Sequence, residues 1–87
     1  MLKIERIPRP GCVVIKPIGR LETELLPELR RELETEEARI VLEMDEVMLV
    51  DVDAVRFFIE CEARGIELHG CSAYIREWIA RERESAR

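Results

Sequence analysis

With 87 residues, the chain can enclose one modest hydrophobic core, so residues 1–87 are expected to form a single domain with a thin stability margin. Apolar residues make up 47% and charged residues 38%, a mixture that excludes a disordered chain. The net charge of -5 comes from 14 basic and 19 acidic side chains, with the basic ones dispersed among acidic neighbours; this excludes nucleic acid as the main ligand, because phosphate binding needs clustered Lys and Arg.

In the first segment, Leu2, Ile4 and Ile7 alternate with Lys3, Glu5 and Arg6, the period of a strand covered on one face. The same charges occupy the place where a signal peptide needs an apolar run, and no apolar stretch reaches bilayer length, so a cytoplasmic protein without membrane insertion is expected. Pro8-Arg9-Pro10-Gly11 predicts a turn, and Cys12-Val13-Val14-Ile15-Lys16-Pro17-Ile18 a strand buried on both faces, antiparallel to the first and closed by Gly19.

Leu25, Leu26, Leu29 and Leu33 have helical spacing over residues 23–35, and Pro27 must sit in the first turn, where no hydrogen bond is lost. Arg39-Ile40-Val41-Leu42-Glu43-Met44 reads as another buried strand, joined to the previous one by a parallel crossover. Residues 45–50 read as a connection. Asp51-Val52-Asp53 can cap a helix running to Arg64, with Val55, Phe58 and Ile59 inward and Gly65 ending it. Ile66-Glu67-Leu68-His69 is a short strand, Gly70 a turn, and Ser72 the cap of a last helix carrying Tyr74, Ile75, Trp78 and Ile79. The predicted fold class is α/β, a mixed sheet with crossover helices in the order β-β-α-β-α-β-α, in one layer pair or two.

Several of these segments resemble the STAS domain family of anti-sigma factor antagonists and sulphate-transporter regulatory domains. The likeness covers about residues 12–79. It rests on Val13-Val14-Ile15 leading into Gly19-Arg20-Leu21-Glu22, on Pro27-Glu28-Leu29-Arg30, on Ile40-Val41-Leu42-Glu43-Met44-Asp45-Glu46-Val47 and on Gly65-Ile66-Glu67-Leu68. Val50-Asp51-Val52-Asp53-Ala54-Val55 stands in the place of the family's Asp-Ser-Ser/Thr-Gly-Leu signature. Valine has no hydroxyl, so Val52 removes the phosphorylation switch that the first Ser of the signature provides. Asp53 replaces the second Ser or Thr and Ala54 the Gly. The helix after the signature is about one turn short and the family's final strand and helix are lacking, which implies a shortened variant.

Three cysteines, Cys12, Cys61 and Cys71, lack paired metal-ligand spacing and read as buried thiols rather than a disulfide framework or zinc site. Asp51 and Asp53, with Asp45 and Glu46, could hold a divalent cation, against the simpler reading that they cap a helix. His69 and Cys71 are the only candidates for acid–base or nucleophilic work, with no visible orienting group, and structural packing is the stronger reading. Tyr74 and Trp78 read as core or self-association residues.

The expectation is therefore a non-catalytic, non-phosphorylatable regulatory module that needs no cofactor. Its partner-binding residues are Met48, Leu49, Asp51, Val52, Asp53, Arg56 and Glu60, with apolar burial giving affinity and flanking charge giving specificity. Partners implied by the resemblance are an anti-sigma factor or kinase, a transporter ATPase that the module would serve as accessory subunit, or other STAS modules; a homodimer also stays open. The competing reading is a small metal- or ligand-binding domain using the Asp51 and Asp53 loop.

Overall fold

Proline at the first turn position and glycine at positive φ in the second suit a tight reversal, and Pro10-Gly11, with Gly11 at φ 79°, folds strand β1 (Leu2–Arg9) back on β2 (Cys12–Leu21). The computed structural model describes residues 2–85. After β2 come a 3-10 turn (Thr23–Leu25), α1 (Leu26–Glu34), β3 (Arg39–Glu43), β4 (Val47–Val50), α2 (Val52–Ala63), β5 (Glu67–His69) and α3 (Ala73–Ser85). Pro27 lies in the first turn of α1, as steric reasoning requires.

The result is a mixed α/β sheet. β1 is antiparallel to β2, β3 and β4 both run parallel to β2, and β5 runs parallel to β3. β3 flanks the first half of β2 and β4 the second half, in the same direction, so β3 and β4 act as one strand interrupted by a turn at Asp45 and Glu46. That fifth strand is a correction: the Val47–Val50 segment pairs with β2 instead of merely connecting. The strands also outlast their predicted ends, β1 running through Pro8 and Arg9 and β2 through Gly19 to Leu21.

One layer of helices covers one face of this sheet. Val13, Ile15, Ile40, Leu42 and Leu68 point into a cluster with Leu26, Leu29 and Leu33 of α1, Val55, Phe57 and Phe58 of α2, and Ile75 and Ile79 of α3. Burial of each such side chain is worth ~1.5–3 kcal/mol relative to exposure. The strand neighbours of opposite parity, among them Ile7, Val14 and Val41, lie outside this cluster.

Two aromatic expectations need adjusting. Phe57 joins Phe58 in the core at 2% exposure, whereas Tyr74 is 57% exposed and only Trp78 of that pair packs partly against the cluster. Of the cysteines, Cys61 is buried but Cys12 and Cys71 are half-buried.

Candidate functional site

Met48 owes its position to an irregularity of pairing. Gly19 lies opposite Val47, but the next residue, Arg20, lies opposite Leu49, so Met48 is an extra residue on β4. Such a bulge leaves the additional residue unpaired and re-aims its side chain. Gly19 makes the step on the other strand: at φ 110°, a conformation closed to most side chains, it still donates its N–H to the Glu46 carbonyl at 3.0 Å. Met48 is consequently 81% exposed and Leu49 43%, while Val50, back in register with Leu21, is 5% exposed and anchors the strand in the core.

The chain then enters α2 through Asp51, whose backbone is extended and whose Oδ1 accepts from the Ala54 N–H at 3.0 Å, an N-cap. Its Oδ2 accepts from both the backbone N–H of Thr23, at 2.8 Å, and the Thr23 hydroxyl, at 2.7 Å. That hydroxyl also lies 2.9 Å from Asp53 Oδ2, so its single proton is shared between two carboxylates. Burial pushes the Asp51 carboxyl up, yet the hydrogen bonds from Thr23 and Ala54 outweigh it and hold the group below the usual carboxylate range. Sequence reasoning assigned Thr23 no role here, because a contact across 28 residues leaves no local pattern.

The segment expected as a loop from Met48 to Asp53 is thus a strand end joined to a helix start, with only Asp51 outside both elements. Val52 and Asp53 fall in the first turn of α2, Val52 half-buried and Asp53 exposed, where its charge complements the helix dipole. Arg56 and Glu60 are exposed on α2 but already engaged: Arg56 Nε donates to Glu82 of α3 at 3.0 Å, and Glu60 accepts from Arg30 of α1 at 3.2 Å. Both tie α2 to its neighbours, so the surface free for contact centres on Met48 and Leu49.

The four carboxylates considered for a cation do not gather. Lys16 Nζ lies 2.6 Å from Glu46 and 3.8 Å from Asp45, and the hydrogen bond to Glu46 raises the Lys16 pKa. Among the described residues, no three His, Cys, Asp or Glu side chains lie together as a metal site would need. His69 Nε2 lies 3.3 Å from Glu67 Oε1, and burial pushes up the Cys71 thiol, which keeps it in the less nucleophilic protonated form. Burial pushes Cys61 up to about 12, as suits an inert core thiol. No described helix is long and apolar enough to cross a membrane.

The Thr23 contact yields a prediction. Thr23→Val removes the hydroxyl donor while keeping the shape, and should cost ~1 kcal/mol, lowering Tm by about 4–8 °C for a domain of this size. Hydrogen exchange should quicken at the Ala54 amide, whose acceptor Thr23 helps to hold. An unchanged Tm and unchanged exchange would show that Thr23 does not brace the α2 entrance.

No protein-family model matches this chain, and no curated protein does either.

Proposed function

We propose that the chain is a STAS-like regulatory module without catalysis of its own, which docks a protein partner through the exposed end of β4 and the braced start of α2. The observation that carries this reading is Met48: a large apolar side chain 81% exposed beside Leu49 at 43%. Solvating two adjacent large apolar side chains gains the isolated fold nothing, whereas burying them against a partner is favourable. The Asp51 to Thr23 bridge fixes the backbone on which they stand, which lowers the ordering cost of binding.

The resemblance supplies the regulatory part of the proposal. Val52, in the position of the modified serine, cannot carry phosphate, and Asp53 beside it holds a permanent negative charge, so the module would stay in one binding state. The partner classes are an anti-sigma factor or kinase, a transporter ATPase, or further modules of the same kind, in the cytoplasm. Partner affinities of wild type, Asp53→Ser and Asp53→Ala check the fixed-charge element, and equal affinities would eliminate it.

A pull-down from the source cell with wild type and Met48→Glu as baits tests the surface. A specific protein retained by wild type and lost with Met48→Glu is the expected outcome; equal retention would discard this face. Thermal melts with Mg²⁺, Ca²⁺ or nucleotides separate the competing ligand-binding reading, because a ligand that prefers the folded state raises Tm by mass action. No shift is expected, and a clear one would transfer the function to the carboxylates.

A further inference from the structure

The outer edge of β1 is an unpaired row of backbone groups. β1 bonds to β2 alone, and among the described residues no other backbone group reaches Leu2, Ile4 or Arg6. Which residues face outward follows from the ladder, because bonded and non-bonded residue pairs alternate between antiparallel strands. Gly19, opposite Leu2, gives its N–H to the Glu46 carbonyl on the β4 side of β2, so Leu2↔Gly19 is a non-bonded pair. Alternation then makes Ile4↔Pro17, Arg6↔Ile15 and Pro8↔Val13 non-bonded too, which agrees with both prolines lacking an N–H. Leu2, Ile4 and Arg6 therefore point N–H and C=O outward, and Pro8 only its C=O.

Such an edge is a template for one more strand. Pro8 blunts one end of it, leaving residues 2–6 with all their outward donors and acceptors. On the face away from the helices this stretch carries Lys3 and Glu5, 3.6 Å apart and both in contact with water. On the helix side stand Leu2 and Ile4, which pack on the core, and Arg6, bridged to Glu36 and to the Glu32 carbonyl. Ile4 still lines an open groove with Glu28, Arg31 and Glu32, so α1 does not close the edge.

We infer that β1 pairs antiparallel with β1 of a second copy, about a two-fold axis that passes between the two Ile4 residues perpendicular to the sheet, so that two sheets become one. Outward residues meet there. Ile4 bonds its own counterpart and Leu2 bonds Arg6 of the second copy, twice by symmetry, giving roughly six backbone hydrogen bonds. Lys3 then lies directly opposite Glu5 of the second copy, with about 4.5 Å between Cα atoms. This contact adds to the Lys3–Glu5 pair within each chain, because every ammonium has one carboxylate beside it and another across. Arg6 keeps its bridges to α1, since only its backbone takes part. The other registers are poorer: an axis at Lys3, Glu5 or Arg6 sets a charge against its own copy, and one at Ile7 brings Pro8, without an N–H, into the bonded pairs. Charge and proline placement thus select both the occupant and the register. The contact is small, so association depends on concentration. β2 separates this edge from β4, so the Met48 surface stays open and either can fail without the other.

Sedimentation equilibrium and a cross-link test the arrangement. Wild type should move from the chain mass of 10.2 kDa toward twice that value as its concentration is raised. Ile4→Pro removes an N–H that β2 does not use, and it should stay at the chain mass with an unchanged circular dichroism spectrum. A mixture of Lys3→Cys and Glu5→Cys proteins, oxidised in air, should give chiefly the disulfide between the two new thiols, identified by peptide mass. Opposed Cα atoms at about 4.5 Å suit a disulfide, whereas identical positions lie on the diagonal, about 7–8 Å apart, and should link poorly when either variant is oxidised alone. A wild type that stays monomeric at every concentration would overturn the inference, and so would a folded Ile4→Pro that dimerises like wild type. If Ile4→Pro does not fold, the cross-link decides: a dimer without the mixed disulfide places the interface elsewhere.

Discussion

Phe58→Ala should cause the largest loss of folding stability of any substitution considered, about 3–5 kcal/mol. Phe58 is 0% exposed and stands among the largest fully enclosed side chains, between the sheet and the helix layer. Its ring lies 6.2 Å from that of Phe57 in a tilted arrangement, and Arg30 sits 4.9 Å above Phe57, so the two rings are packed from several directions. Truncating a buried Phe to Ala costs ~3–5 kcal/mol, a transfer loss plus the cavity left behind. Total stability for a chain of this length is ~4–13 kcal/mol at ~0.05–0.15 kcal/mol per residue, with small domains toward the lower end. One substitution therefore consumes much of the margin. Urea unfolding monitored by circular dichroism reads this directly. The informative control is Tyr74→Ala, at a residue 57% exposed, which should change stability little. Equal losses at the two positions would mean that the core is not organised around α2.

Asp51→Ala should have the next largest effect. It removes the N-cap of α2, worth ~1–2 kcal/mol, and leaves the Thr23 N–H and hydroxyl without their acceptor. The loss should appear as a Tm lowered by about 4–8 °C per kcal/mol. A pH signature accompanies it. The folded-state pKa of Asp51 is depressed, so its ionised form contributes stability that is complete above the unfolded value of ~3.9 and is lost as pH falls through the folded value. Acid titration of stability should accordingly be shallower in Asp51→Ala than in wild type below about pH 4. Asp51→Asn, which keeps one acceptor oxygen in place of two, should recover part of the Tm but none of the acid slope. If wild type and Asp51→Ala lose stability with acid in parallel, the Asp51 bridges do not form in solution.

The strands and helices that alternate cleanly or carry a strong punctuation residue could be read from the chain alone. Alternation gave β1, a β-branched run gave β2, Pro27 located the first turn of α1, and Asp51 the start of α2. β4 escaped because Val47-Met48-Leu49-Val50 is a short apolar run with no alternation, and its pairing with β2 is broken by the bulge that no sequence period records. The same bulge decides how far Met48 projects, so that residue could be nominated from the sequence but its exposure could not be explained.

Long-range polar contacts were equally invisible. Thr23 reaches Asp51 across 28 residues, and Arg56 and Glu60 find Glu82 and Arg30, each 26 or more residues away. Exposure on a helix predicts availability only when nothing else on the surface claims the charge, and on this small domain the neighbouring helices claim both. For Tyr74, one helical position separates it from Ile75, which is 3% exposed; a helical pattern alone sets the rotation of α3 too coarsely to tell such neighbours apart.

The most direct test of docking at the β4 end is the affinity of a captured partner for wild type and for Met48→Glu, measured by calorimetry on both proteins after matched thermal melts. Placing a carboxylate where an apolar side chain should be buried is expected to weaken binding at least about 30-fold, the effect of losing ~2 kcal/mol at an interface hot spot, while Tm stays within a few degrees of wild type. Identical dissociation constants for the two proteins would contradict the assignment of this surface.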